Sequence, residues 1–238
     1  LLSILTVLLS GLSLGLLNDG VSGLKNLPVA GFAFNEGTKT DNAFSRSVVD
    51  EDQRAVWEDQ PEIADAELMG SMIVNGETDD GTQIDLTLFG VEPESFLSPE
   101  AAQGEQLGAI DGLVLSATTQ REGVELGDKF ILDRLDVELE VIGFTEDQAT
   151  FGHVDIAYMP IDTWRLIASG QAEAGVPTQD AVDAIDSDVA SVIALRTVDG
   201  SSIEDSGIDI AAVDAEAETI TNSLEESFNA SPGYTAEM

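Results

Sequence analysis

The 238-residue chain carries 46 acidic and 9 basic residues, one histidine and no cysteine, for a formal charge of −37. Disulfides, thiolate metal sites and a Cys nucleophile are therefore excluded, and so is a nucleic-acid partner: a phosphate backbone would meet a like-charged surface with no Lys/Arg patch to release its counter-ions. The length suffices for one large or two small domains with a core, and the acidity reads first as solubility in a salty or cation-rich medium.

Residues 1–17 (LLSILTVLLSGLSLGLL) contain no charge and four hydroxyl side chains. They read as the outer part of a transmembrane helix, because seventeen helical residues reach about 25 Å against a hydrocarbon core of about 30 Å. The pattern continues through NDGVSGLKNL to Pro28 as a stalk, so residues 1–27 form a partial membrane helix and stalk, and residues 28–238 an outer domain, in one lobe or two. Gly11 and Gly15 make a GxxxG pair suited to packing against a helical partner. The same residues match GxSxG around Ser13, but a nucleophile elbow needs a strand, turn and helix that a continuous apolar run does not supply.

Residues 29–35 (VAGFAFN) predict a strand, and Asp50 with Gln53 a capping box opening a short helix that stops before Pro61. A strand over Ile63–Val74 and the alternating Ile84, Leu86 and Leu88 predict a hairpin, with Asn75-Gly76 and Asp80-Gly81 bracketing its turn. The acidic NGETDDG loop lacks EF-hand spacing and reads as a solvated turn. Residues 93–107 predict a turn and short helix, and residues 112–132 a strand, a short helical or turn element, and a G-D turn into another strand. Leu135, Val137, Leu139 and Val141 alternate with Asp136, Glu138 and Glu140, which demands a sheet with one wet face. Residues 153–160 predict a strand and 161–170 an amphipathic helix. The Ala/Asp-rich stretch to Asp188 reads as a mobile connection or frayed helix, and 191–200 as strand and turn. Val213, Ala217, Ile220, Leu224 and Phe228 mark the apolar stripe of a last helix.

Gly127-Asp128, Val141-Ile142-Gly143-Phe144 and Tyr158-Met159-Pro160 stand in the order of a G-D turn, a hairpin ending in V-I-G-F and a strand ending in Y-x-P. In this the chain resembles the extracytoplasmic domain of FtsX/MacB-type ABC transporter permeases, by motif over residues 112–165 and by architecture over most of its length. Within that family the opening LLSGLSLGLLNDGVSGLKNLP and closing GYTAE look most like haem-export permeases of Gram-positive bacteria. The resemblance implies an α+β fold, a MacB-like domain of mixed and antiparallel sheet with short helices, preceded by a transmembrane helix. It also implies a homodimeric permease in the cell membrane, in contact with lipid. Residues beyond about 28 would lie outside the cytoplasm, and separate cytoplasmic ATPase subunits would drive the permease. Other cargo readings in the family are lipoproteins, peptides or antibiotics; an FtsX-like signalling permease that activates a cell-wall hydrolase is the alternative from another class.

No Walker A motif or GxGxxG is present, so nucleotide chemistry is expected in another subunit and the domain itself is not expected to be an enzyme. Carboxylate pairs carry no catalytic signal in so acidic a chain. His153 has no second His or Cys beside it in sequence, and reads as a surface or hydrogen-bonding residue ahead of a metal ligand. No intrinsic cofactor is expected; haem would enter as the transported substrate. Its iron accepts tyrosinate and other oxygen or sulfur ligands, so the candidate contacts are Glu36, Tyr158, Tyr234 and Met238. The competing readings are core packing for Tyr158 and interfacial positions for Glu36 and Tyr234.

Overall fold

The computed structural model describes residues 22–25, 27–35, 38, 43–209 and 213. They form two compact units: residues up to Pro28 with Met69–Ser187, and Val29–Leu68 with those from Asp188 onward. The membrane-helix reading of residues 1–17, including Gly11 and Gly15, lies outside the described residues, as does all of the C-terminal stripe except the buried Val213. No helix among the described residues is long and apolar enough to cross a membrane.

In the unit built from Val29–Leu68 and the C-terminal residues, strand β1 (Gly31–Ala33) runs antiparallel to a late strand, Val192–Thr197. Helix α2 (Ala43–Arg46) places Phe44 edge-on to both Phe32 and Phe34, with ring centroids 5.2 Å apart in each pair. Helix α3 (Glu51–Glu58) begins as the sequence predicts. Asp50 Oδ1 accepts the Gln53 amide at 2.9 Å, and Gln53 Oε1 accepts the Asp50 amide at 3.2 Å, so two N-terminal N–H groups are satisfied reciprocally. Strand β2 (Ile63–Thr78) starts in this unit, where Asp65 pairs with Arg196, and its remainder from Met69 lies in the other.

The other unit is a mixed sheet wound into a ring. Strand β3 (Gln83–Val91) is antiparallel to β2 and parallel to β9 (Val154–Pro160). Strand β9 is antiparallel to β5 (Gly112–Leu115), which is parallel to β7 (Glu138–Thr145). Strand β6 (Lys129–Leu132) then pairs with both β7 and β2, closing the circuit. Closure removes the free edges that an open sheet would expose. The ring encloses Leu86, Leu88, Leu113, Phe130, Leu139, Val141 and Phe144, each at most 1% exposed. Strand β4 (Ala101–Gly104) extends β7, and β8 (Thr150–Phe151) forms a hairpin with β9. Helix α4 (Ile161–Ala168) inserts Trp164 and Ile167 into the same core. Helix α1 (Ser22–Lys25) is held to β8, where Ser22 Oγ accepts the Thr150 amide at 3.1 Å and lies 2.9 Å from its hydroxyl.

This is the α+β class expected, with a mixed sheet and few short helices. Three local expectations are corrected. Asn75-Gly76 is not part of a turn: it lies inside β2, where Gly76 pairs with both Ile84 and Leu132 and a Cβ would stand 2.4 Å from the Ile131 carbonyl oxygen. The turn comes later, where Asp80 Oδ1 accepts the Thr78 hydroxyl at 2.5 Å and the Thr82 amide at 3.1 Å. Residues 93–107 hold strand β4 rather than a helix. The Gln106 amide group bonds to both Ala101 N and O, and Gly104 takes φ = 81°, so β7 and a local side-chain clamp override the helix propensity of EAAQ. The alternation counted from Leu135 begins only at Val137: Leu135 is exposed and Asp136 takes φ = 52°, both in the turn that joins β6 to β7, where the Asp136 amide donates to the Leu132 carbonyl at 3.0 Å. In the Ala/Asp stretch the helical alternative is the one realised, as α5 (Gln179–Asp183), capped by the Thr178 hydroxyl on the Ala181 amide at 3.3 Å.

Candidate functional site

The described surface of the ring-shaped unit has an open cleft of about 540 Å³ lined by Thr82, Gln83, Ile84, Asp85, Glu122, His153, Val154 and Asp155. Three segments far apart in sequence build it. One wall is the β8–β9 hairpin, whose two-residue turn, Gly152-His153, has φ of 64° and 71° between the paired Phe151 and Val154. Positive φ at both central residues matches the strand twist, as in a type I′ turn, and it projects the exposed His153 at the rim. Asp85 and Ile84 come from β3, and Glu122 from the 3₁₀ turn Thr119–Glu122, which ends on Gly123 at φ = 105°.

The cleft is held by hydroxyls and amides, without Lys or Arg in its lining. Asp155 accepts the Thr118 hydroxyl, Thr118 lies 2.6 Å from Ser116 Oγ, and Ser116 Oγ accepts the Ala149 amide at 3.0 Å. Asp85 accepts Asn75 Nδ2 at 2.7 Å. Burial, and then the negative charges of Asp155 and Asp85, raise the Glu122 carboxyl above its ordinary range. The arrangement suits a positively charged or hydrogen-bond-donating group. Among the described residues no three His, Asp or Glu side chains are grouped to hold a metal ion. Spacing could not reveal this site, because Asp85 and Asp155 come together through the β3–β9 pairing and Glu122 joins them from the 3₁₀ turn.

Of the candidate haem contacts, Glu36, Tyr234 and Met238 lie outside the described residues. Tyr158 is 4% exposed in β9, its ring edge-on to Phe89 at 5.9 Å, and burial pushes its phenol up to about 12. The residues of the family-like motif occupy coherent places. Gly127, at φ = 89°, and Asp128 turn the chain into β6, with Asp128 Oδ2 accepting the Glu125 amide at 2.8 Å. Val141–Phe144 lie in β7, and Tyr158–Pro160 end β9 just before α4.

No family model matches the chain, and no curated protein matches its sequence. Solved structures do match its fold. The extracellular domain of the noncanonic ABC-type transporter YknZ from Gram-positive bacteria aligns with a TM-score of 0.51 at 11% identity, over 82% of this chain and 93% of that one. The periplasmic region of MacB from Actinobacillus actinomycetemcomitans aligns with a TM-score of 0.49 at 13% identity, over 89% of this chain and all of that one. The fold is therefore one that this chain shares with the YknZ extracellular domain.

Proposed function

We propose that the chain is the extracytoplasmic domain of an ABC-type permease that exports a hydrophobic substrate, with haem as the first candidate. The observation that carries this reading is the fold shared with the YknZ extracellular domain across 82% of the chain. Two features of the sequence support it: an uncharged apolar stretch at residues 1–17, and the G-D, V-I-G-F and Y-M-P elements in family order. In this reading the domain performs no chemistry. A separate cytoplasmic ATPase drives two permease copies, and residues 1–27 hold each outer domain to the membrane. Haem contacts would come from Glu36, Tyr234 and Met238, which in sequence stand near the expected membrane helices. Tyr158 serves as packing in β9.

The test is a haem titration of the full-length protein in detergent, followed at the Soret band. Wild type should shift the band, and Tyr234→Ala and Glu36→Ala should each weaken the shift. No shift in wild type would remove haem as the substrate, and an unchanged shift in the variants would remove those two residues as contacts. The permease assignment is tested separately by the gene: three further apolar segments should be encoded after Met238, and without them it fails.

A further inference from the structure

Folding assembles like charge in this protein, and its 9 basic residues can offset only part of the 46 acidic ones. The formal charge is −37, and Arg54, Lys129, Arg165 and Arg196 are already engaged by carboxylates of their own neighbourhoods. Acidic groups distant in sequence are brought together in both units. Asp85, Glu122 and Asp155 line one cleft. Asp50, buried at the start of α3, feels the charges of Asp188 and Asp52. Glu92 feels those of Asp162 and Glu94, with Arg165 opposing them. The unfolded chain separates residues 85, 122 and 155, or 50 and 188, so this repulsion belongs to the folded state.

Range decides how much it matters. Around 0.01 M salt the Debye length is about 30 Å, larger than the radius of a unit this size, and every carboxylate acts on all the others. Near 1 M it is about 3 Å, and only groups in contact still interact. We infer that the native state depends on concentrated monovalent salt, whose diffuse cations screen the carboxylate clusters that folding brings together. The medium in which the domain works is then one of high ionic strength, whatever its cargo. Surface ion pairs weaken under the same conditions, but with so few cations in the chain that loss is the smaller effect.

The test is thermal unfolding of the full chain in a nonionic detergent at neutral pH, from about 0.05 M to about 2 M NaCl, repeated in KCl. The midpoint should rise by about 10 °C or more, alike in both salts and without saturating at millimolar concentration. A flat or falling midpoint would overturn the inference. So would a rise complete at millimolar salt or confined to one cation, since that describes a specific binding site. The double variant Glu94→Gln, Glu122→Gln removes one charge from each of two clusters, and should raise the low-salt midpoint while shrinking the gain on adding salt. An unchanged low-salt midpoint in that variant would also sink the idea.

Discussion

Asp50 has two opposed roles, and they can be separated experimentally. Its side-chain oxygen caps α3, yet burial, reinforced by Asp188 and Asp52, raises its carboxyl above the ordinary value even though the Gln53 amide acts the other way. Asp50→Ala removes the cap and should cost about 1–2 kcal/mol, seen as a lower urea midpoint at unchanged slope. Asp50→Asn keeps an acceptor and drops the charge. A carboxyl raised on folding contributes nothing to the pH dependence below the ordinary carboxylate range, and is unfavourable once pH has risen through the raised value. Asp50→Asn should therefore match or exceed wild type in stability at neutral pH, and the difference should fade on acidification. The same sign applies to Glu122, whose carboxyl burial and two acidic neighbours raise. The salt gain of its glutamine variant should likewise shrink when the carboxylates are protonated.

Among the elements, α4 is seated by an absence of side chains beneath it. Gly70 of β2 and Gly90 of β3 are register partners, and Trp164 lies across the pair. A Cβ on Gly70 would meet the indole at 2.2 Å and one on Gly90 would meet Trp164 Cβ at 2.4 Å. Neither glycine needs its conformational freedom here; both make room. Gly70→Ala should cost about 1–3 kcal/mol through overpacking and should alter tryptophan fluorescence, whereas Ala at the open Gly108 should do neither. Helix α1 shows the same economy. Gly23 sits where a Cβ would stand 2.0 Å from Ile156 Cδ1, and Ser22 bonds Thr150. Ser22→Ala should cost about 0.5–1.5 kcal/mol and speed amide exchange at Thr150, because the amide loses its acceptor.

For the ring-shaped unit as a whole, the decisive feature is closure by β6, a strand of only four residues. It is stitched to β2 at Gly76, Glu77 and Thr78, and to β7 at Glu138, Leu139 and Glu140. Gly76 stands where β3 and β6 both approach β2, with Phe130 Cζ 2.6 Å from any added Cβ. Gly76→Val should open this seam. The expected result is a loss of about 3 kcal/mol or more, with exchange protection falling first at Phe130 and Leu132 and later at the β3–β9 pairing. Uniform loss of protection across all strands would mean that the ring has no weak seam.

The elements set by neighbouring residues were readable from the sequence. The Asp50/Gln53 box, the alternation of Val137, Leu139 and Val141 against Glu138 and Glu140, the G-D turn before β6, and the helix after Tyr158-Met159-Pro160 each depend on side chains within a few positions of one another. Propensity and periodicity act at that range. The resemblance carried by those same motifs implies the α+β fold that this chain shares with the YknZ extracellular domain. What tertiary structure alone decided is everything that depends on long-range pairing. It turned Asn75-Gly76 from a turn signal into the interior of a strand, and EAAQ from a helix into the edge strand β4. It joined β6 to two partners and gathered Asp85, Glu122 and Asp155 into one cleft. The physical reason is that these contacts gain their free energy only when strands remote in sequence meet, so no local pattern records them.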